Sequence, residues 1–129
     1  MAYATTHPSL LVTLQFFLAW PDLRRAAELL VRRHDEINGD QYEYLAPAAE
    51  ILSERHPLAA TLALRAMIDF TLTNARSKRY GYAAQHLGVC ADLASRIEDF
   101  GAFETHEAYL GQLKSQHGRK FGFWSLINA

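Results

Sequence analysis

Arg65 and Asp69 are the residues whose types and spacing most invite chemistry. They lie one helical turn apart in PLAATLALRAMIDFTLTNA, residues 57–75, and are the only charges in that stretch. A charge taken out of water needs a partner, so each is expected to have one. One outcome is a structural clamp that ties this segment to its neighbours, through the pair itself or through Tyr80 or Tyr82. The other is a charged pocket on a concave face, where perturbed titration marks function. Arg before Asp is the weaker order for an ion pair within a helix.

The histidines point away from a metal. His106 and His117 stand eleven residues apart in one expected helix. They are separated by about 16 Å of rise and cannot share an ion. Glu107 follows His106 as in a metalloprotease helix, but Leu110 occupies the place of the second histidine. His86 and Cys90 are four apart and offer two ligands, whereas a zinc site needs two more from elsewhere. The plainer reading is a half-buried imidazole and a small apolar thiol. The chain has no Walker-type glycine loop and no GxSxG elbow. No catalytic residue, metal or cofactor is expected.

Two basic stretches remain. ARSKRYGY, residues 75–82, sets Arg76, Lys78 and Arg79 at a helix junction, with Tyr80 and Tyr82 just beyond. Cations there stabilise the negative end of the preceding helix. An anion site at the start of the next helix is the functional alternative. In SQHGRKFGFWSLI, residues 115–127, His117, Arg119 and Lys120 flank Gly118 and precede Phe121, Phe123 and Trp124. Gly118 is expected just past a helix end in the left-handed conformation. Trp124 and at least one Phe are expected to dock and cap the fold, since so large an aromatic area seldom stays wet. The alternative is a sticky end for a partner or a second copy.

These side chains need helices to position them. The chain has 129 residues, half of them apolar, with a net charge of −1. That is one globular domain without the basic excess of a nucleic-acid binder. A single cysteine forbids an intramolecular disulfide and suits a reducing compartment, here the cytoplasm. The apolar run from Ser9 to Trp20 is too short to span a bilayer. Helices are expected over about 9–19, 22–37, to Arg55, 57–75, 78–97 and 105–117, with a short helix or tail after them. Pro8, Pro21 and Pro57 mark starts. Gly39, Gly101 and Gly118 mark stops. Ser77 and Thr105 are the expected N-caps. Pro47 sits either near the start of the third helix or at a kink. Residues 57–75 are apolar on nearly every face, so this helix should be buried all round. Residues 22–37 carry one apolar stripe (Leu23, Ala27, Leu30, Ile37) and a Glu28–Arg32 pair on the outside. YEYLAPAAEIL from Tyr42 and YGYAAQHLGVC from Tyr80 echo one another 38 residues apart. A period in the thirties fits a helix-turn-helix repeat. The expected fold is all-α: six to seven helices in antiparallel hairpins, stacked right-handedly in tetratricopeptide-like fashion.

Three stretches in order, HPLAATLALRAMIDF (56–70), RSKRYGYAAQHL (76–87) and HGRKFGFW (117–124), resemble an uncharacterised bacterial family, domain of unknown function 6880. The resemblance covers about residues 40–127 and implies a helical, tetratricopeptide-like protein. It transfers no site residues. Some members are longer, so this chain is expected to be a short version lacking an N-terminal region. The expected function is a non-catalytic interaction module with a protein or peptide partner, since stacked helix pairs make a concave surface. Self-association is a further expectation. A small enzyme or ligand sensor around Arg65 and Asp69 is the first alternative. A nucleic-acid accessory protein is the second, and it requires Arg24, Arg25, Arg32, Arg33, Lys114 and Lys120 to share one face.

Overall fold

A computed structural model describes residues 9–19 and 22–127. Among them the structure is all-α, with seven helices. These are α1 Leu10–Ala19, α2 Leu23–Arg32, α3 Tyr42–Leu52, α4 Pro57–Thr73, α5 Tyr80–Ala94, α6 His106–His117 and α7 Phe121–Ile127. Single 3-10 turns at His34–Glu36 and Ser77–Arg79 lie between them. No helix among the described residues is long and apolar enough to cross a membrane. The expected starts at Pro8 and Pro21 fall outside the described residues, as does Trp20.

The central element is α4. It begins with Pro57 in its first turn, where the missing N–H costs nothing. Eleven of its seventeen residues are buried, including Ala59, Ala60 and Ala63, so that neighbours approach closely. It packs against α2, α3 and α5, and α7 packs on α5. The two stretches of the 38-residue echo each open a helix. Tyr42 and Tyr80 open α3 and α5, and Leu45, Ala49 and Leu52 are buried as their equivalents Ala83, Leu87 and Cys90 are. The match is partial, since Ala48 is buried whereas its equivalent His86 is only half-buried. At the far end of α5, Arg96 donates to the Ser53 and Glu54 carbonyls (2.6 and 2.8 Å), which caps the orphan end of α3.

Several expectations need correction. The helix placed over 22–37 ends at Arg32, and a tight 3-10 turn follows. Its Glu28–Arg32 pair is not formed; Arg25 pairs with Asp22 and Arg33 with Glu36 instead. Ser77 caps nothing: it opens the second 3-10 turn, and α5 starts at Tyr80. Gly118 has φ −60°, an ordinary right-handed residue, and its tightness comes from the Lys114 carbonyl 2.6 Å from where a Cβ would lie. Pro47 lies inside α3, which runs five residues upstream of it and continues to Leu52. Thr105 does cap α6, accepting from the Ala108 amide at 3.2 Å.

The left-handed helix stop is at Ala75 (φ 50°) rather than at a glycine. The Arg76 amide bonds Thr71 O at 2.9 Å and the Ala75 amide bonds Leu72 O at 3.2 Å, the paired bonds of a Schellman ending. A Cβ in this region is strained. Ala75→Gly should therefore stabilise the protein by about 0.5–1 kcal/mol, after the extra freedom glycine gives the unfolded chain. A denaturant midpoint shifted upward with an unchanged slope is the expected result.

Candidate functional site

A stripe along α4 forms the floor of a surface cleft. Leu62, Arg65, Ala66, Asp69 and Thr73 recur at helical spacing and face one way. One wall is the 3-10 turn at His34–Glu36 and its continuation to Gly39; the other is residues 102–104 with Tyr109 and Gln112 of α6. The cleft has a volume of about 850 Å³. His34 and Phe103 meet edge to face with centroids 4.9 Å apart, one contact between the two walls. Gly39 lets its turn lie directly against the Ala66 carbonyl, so the first wall meets the floor with no room for a Cβ between them.

Arg65 and Asp69 both line this cleft, but they are not a pair. Among the described residues no ion pair joins them. Tyr109 is the partner instead of Tyr80 or Tyr82: its hydroxyl donates to Asp69 Oδ1 at 2.7 Å and approaches the Arg65 carbonyl at 3.4 Å. Arg65 is 6% exposed. Its guanidinium lies over the Tyr109 ring at 4.5 Å and the Phe100 ring at 5.6 Å, a double cation–π contact. Nε and Nη2 are buried with no hydrogen-bond partner. His106 Nδ1, one turn before Tyr109 on α6, is also buried and unpartnered.

The expectation that both charges are buried holds for Arg65 only. Asp69 is exposed as a residue, at the cleft mouth, while its carboxyl is crowded on the Tyr109 side. That crowding raises its pKa above the ordinary 3.8 by desolvation, against the lowering effects of the Tyr109 bond and the Arg65 charge; nearby Glu104 raises it further. Burial likewise raises Tyr109. Desolvation and the Arg65 charge lower His106, so a neutral imidazole is favoured beside the guanidinium.

The raised carboxyl predicts a pH dependence. A folded-state pKa above 3.8 means that the folded chain holds the proton more tightly. The stabilisation is complete below 3.8 and is lost as pH rises through the elevated folded value. Asp69→Asn should keep an acceptor for Tyr109 and remove this dependence, so the variant's stability profile is flatter over that window. Equal slopes for wild type and variant in urea melts across the acid range would contradict it.

The other expected site residues lie elsewhere. Arg79 bonds Asp40 at 2.9 Å and stacks on Tyr42 at 4.5 Å; Arg76 lies over Phe70 at 5.8 Å. The basic junction is thus engaged with acidic and aromatic neighbours, and Lys78 is exposed. Tyr82 is 65% exposed and lines a smaller hollow of about 320 Å³ with Gly39, Tyr42, Met67, Arg79 and His86. Burial lowers His86 and pushes the Cys90 thiol up to about 12, so Cys90 is an inert core group. Tyr80 packs edge to face on the fully buried Phe123. Trp124 donates to the His117 carbonyl at 2.9 Å, joining α7 to the end of α6. Arg119 is exposed and Lys120 half-buried beside that joint, and desolvation with the Lys120 charge lowers His117.

Sequence reasoning missed Tyr109, Phe100, Glu104 and the 34–39 wall. One signal for Tyr109 was available: it shares a buried face with Leu113, four residues on, and a buried tyrosine hydroxyl needs a partner.

The sequence profile described as a family of unknown function, DUF6880, matches residues 1–126. The chain belongs to this family. No curated protein matches it, and no solved structure does.

Proposed function

We propose that the chain is a non-catalytic recognition module that holds a segment of a partner polypeptide in the cleft over α4. The observation that carries this is the cleft lining: carboxylates of Asp35, Asp69 and Glu104, rings of Phe70, Phe103 and Tyr109, and one arginine. Carboxylates attract lysine and arginine side chains, and aromatic faces receive cations. A basic segment with some apolar character fits such a surface. The shared burial pattern of α3 and α5 supports a repeat-like, tetratricopeptide-style stack as the scaffold. The single buried thiol supports a cytoplasmic home.

Titration of isotope-labelled protein with a short lysine-containing peptide tests the reading. Amide shifts confined to residues 34–39, 65–73 and 102–112, weakening with added salt, are the expected result. Scattered shifts, or none at millimolar peptide, would remove the cleft from consideration.

A further inference from the structure

Arg65 holds an unsatisfied hydrogen-bonding edge inside the wall of the cleft. Nε and Nη2 are the two nitrogens on one side of the guanidinium, the side that grips a carboxylate through two parallel hydrogen bonds. Both are buried and unpartnered, on a side chain only 6% exposed that lines the cleft. Tyr109 and Phe100 stack near the guanidinium but accept nothing at that edge. Asp69, the nearest candidate along the helix, is held by Tyr109 instead.

An anion alone fits poorly. Asp35, Asp69 and Glu104 line the same cleft, and an isolated negative group would enter against them. A ligand that carries a carboxylate and, a few ångströms away, a cation satisfies both sides at once: the carboxylate on Arg65, the cation among the acids. A side-chain carboxylate would bring main chain with it on both sides. A chain end can project its carboxylate into a narrow place. Both nitrogens lie out of reach of solvent, so a carboxylate meets them only where a neighbour shifts; Phe100, whose ring lies 5.6 Å from the guanidinium, stands in the connection between α5 and α6 rather than on a helix.

We propose that the cleft reads a polypeptide C-terminus ending in lysine or arginine, with the α-carboxylate on the Nε/Nη2 edge of Arg65 and the basic side chain against Glu104 and Asp35. This rests on the cleft being the recognition surface and specifies what it recognises. A free basic amino acid shares the chemistry, and the test separates the two.

The experiment is calorimetric titration of the full chain with four probes: a hexapeptide ending in Lys with a free carboxylate, its C-terminal amide, the same peptide ending in Ala, and free lysine. The free-acid Lys peptide should bind roughly tenfold to a hundredfold more tightly than the amide, as for charge-assisted hydrogen bonds. It should also exceed the Ala-ending peptide and free lysine. Arg65→Lys keeps the charge without the fork and should erase the acid–amide difference, while Glu104→Gln should weaken the Lys peptide more than the Ala peptide. Equal binding of acid and amide would overturn the carboxylate assignment yet leave a peptide-binding cleft standing. Free lysine binding as tightly as the peptide would overturn the chain-end assignment. No binding by any probe overturns the proposal, and the labelled-protein titration then decides the cleft itself. The acid–amide comparison uses the unaltered chain, so it stands even where an Arg65 variant fails to fold.

Discussion

Gly39→Ala should destabilise the protein by about 3 kcal/mol or more, the upper range for overpacking. A Cβ at this position would clash with the Ala66 carbonyl oxygen and lie 2.6 Å from its carbon and 2.7 Å from Phe70 Cβ. Two of those atoms are helix backbone, which cannot turn aside as a side chain does. Conformation is not the reason, since Gly39 is not among the positive-φ residues; the close approach is. The turn must either retreat from α4 or distort it, and the first loses a wall of the cleft. Urea denaturation reads the stability loss. Amide shifts at residues 34–39 and 65–70 in any variant that still folds read the displaced wall. A wild-type melting profile would show that the turn does not sit on α4 as described.

Phe123→Ala should cost about 3–5 kcal/mol, the usual range for emptying a buried phenylalanine site. Phe123 is fully buried, with ring contacts to Tyr80 at 6.1 Å and Trp124 at 5.0 Å. The loss should be concentrated in α7. Seven residues are too few to hold a helix in water unaided, so α7 depends on this anchor and on the Trp124–His117 bond. Hydrogen exchange should show α7 amides losing protection first, with α3 and α4 protected until global unfolding. Uniform loss of protection would mean that the seven-residue helix is integral to the core. By contrast Phe121, two residues earlier, is 74% exposed, and its truncation should leave stability nearly unchanged.

The parts of the fold legible in the sequence are those set by local rules. Residues 57–75 are apolar on nearly every face, which places the helix at the centre; burial is not complete all round, because the stripe with Arg65, Asp69 and Thr73 is left open as the cleft floor. Pro57 and Thr105 act within one turn of themselves, so their roles follow from type and position. What failed depended on distance or on competition. Ser77 is a good cap by type, but the chain tightens there into a 3-10 turn. Gly118 looked left-handed because glycine permits it, whereas what the site requires is absence of a Cβ against Lys114.

The candidate site divides in the same way. Arg65 and Asp69 were visible as charges in an apolar helix. Their separation was not, because it depends on Tyr109, 40 residues from Asp69 in the chain. Phe100 and Glu104 sit in a connection without periodicity, so no pattern marks them. The 34–39 wall was read as the end of a longer helix. Arg33 and His34 break that helix: the Arg33–Glu36 hydrogen bonds, at 2.6 and 2.8 Å, close the tight turn instead.

Gly39 belongs to the linings of both hollows, the large cleft and the smaller one beside Tyr42 and Tyr82. Communication between two binding places requires an intervening element with two arrangements, each favoured by a different occupant. The turn at Gly39 is the element shared by the two linings, and it lies so close to the Ala66 carbonyl that no Cβ fits between them. A displacement of this one turn would reshape both hollows together.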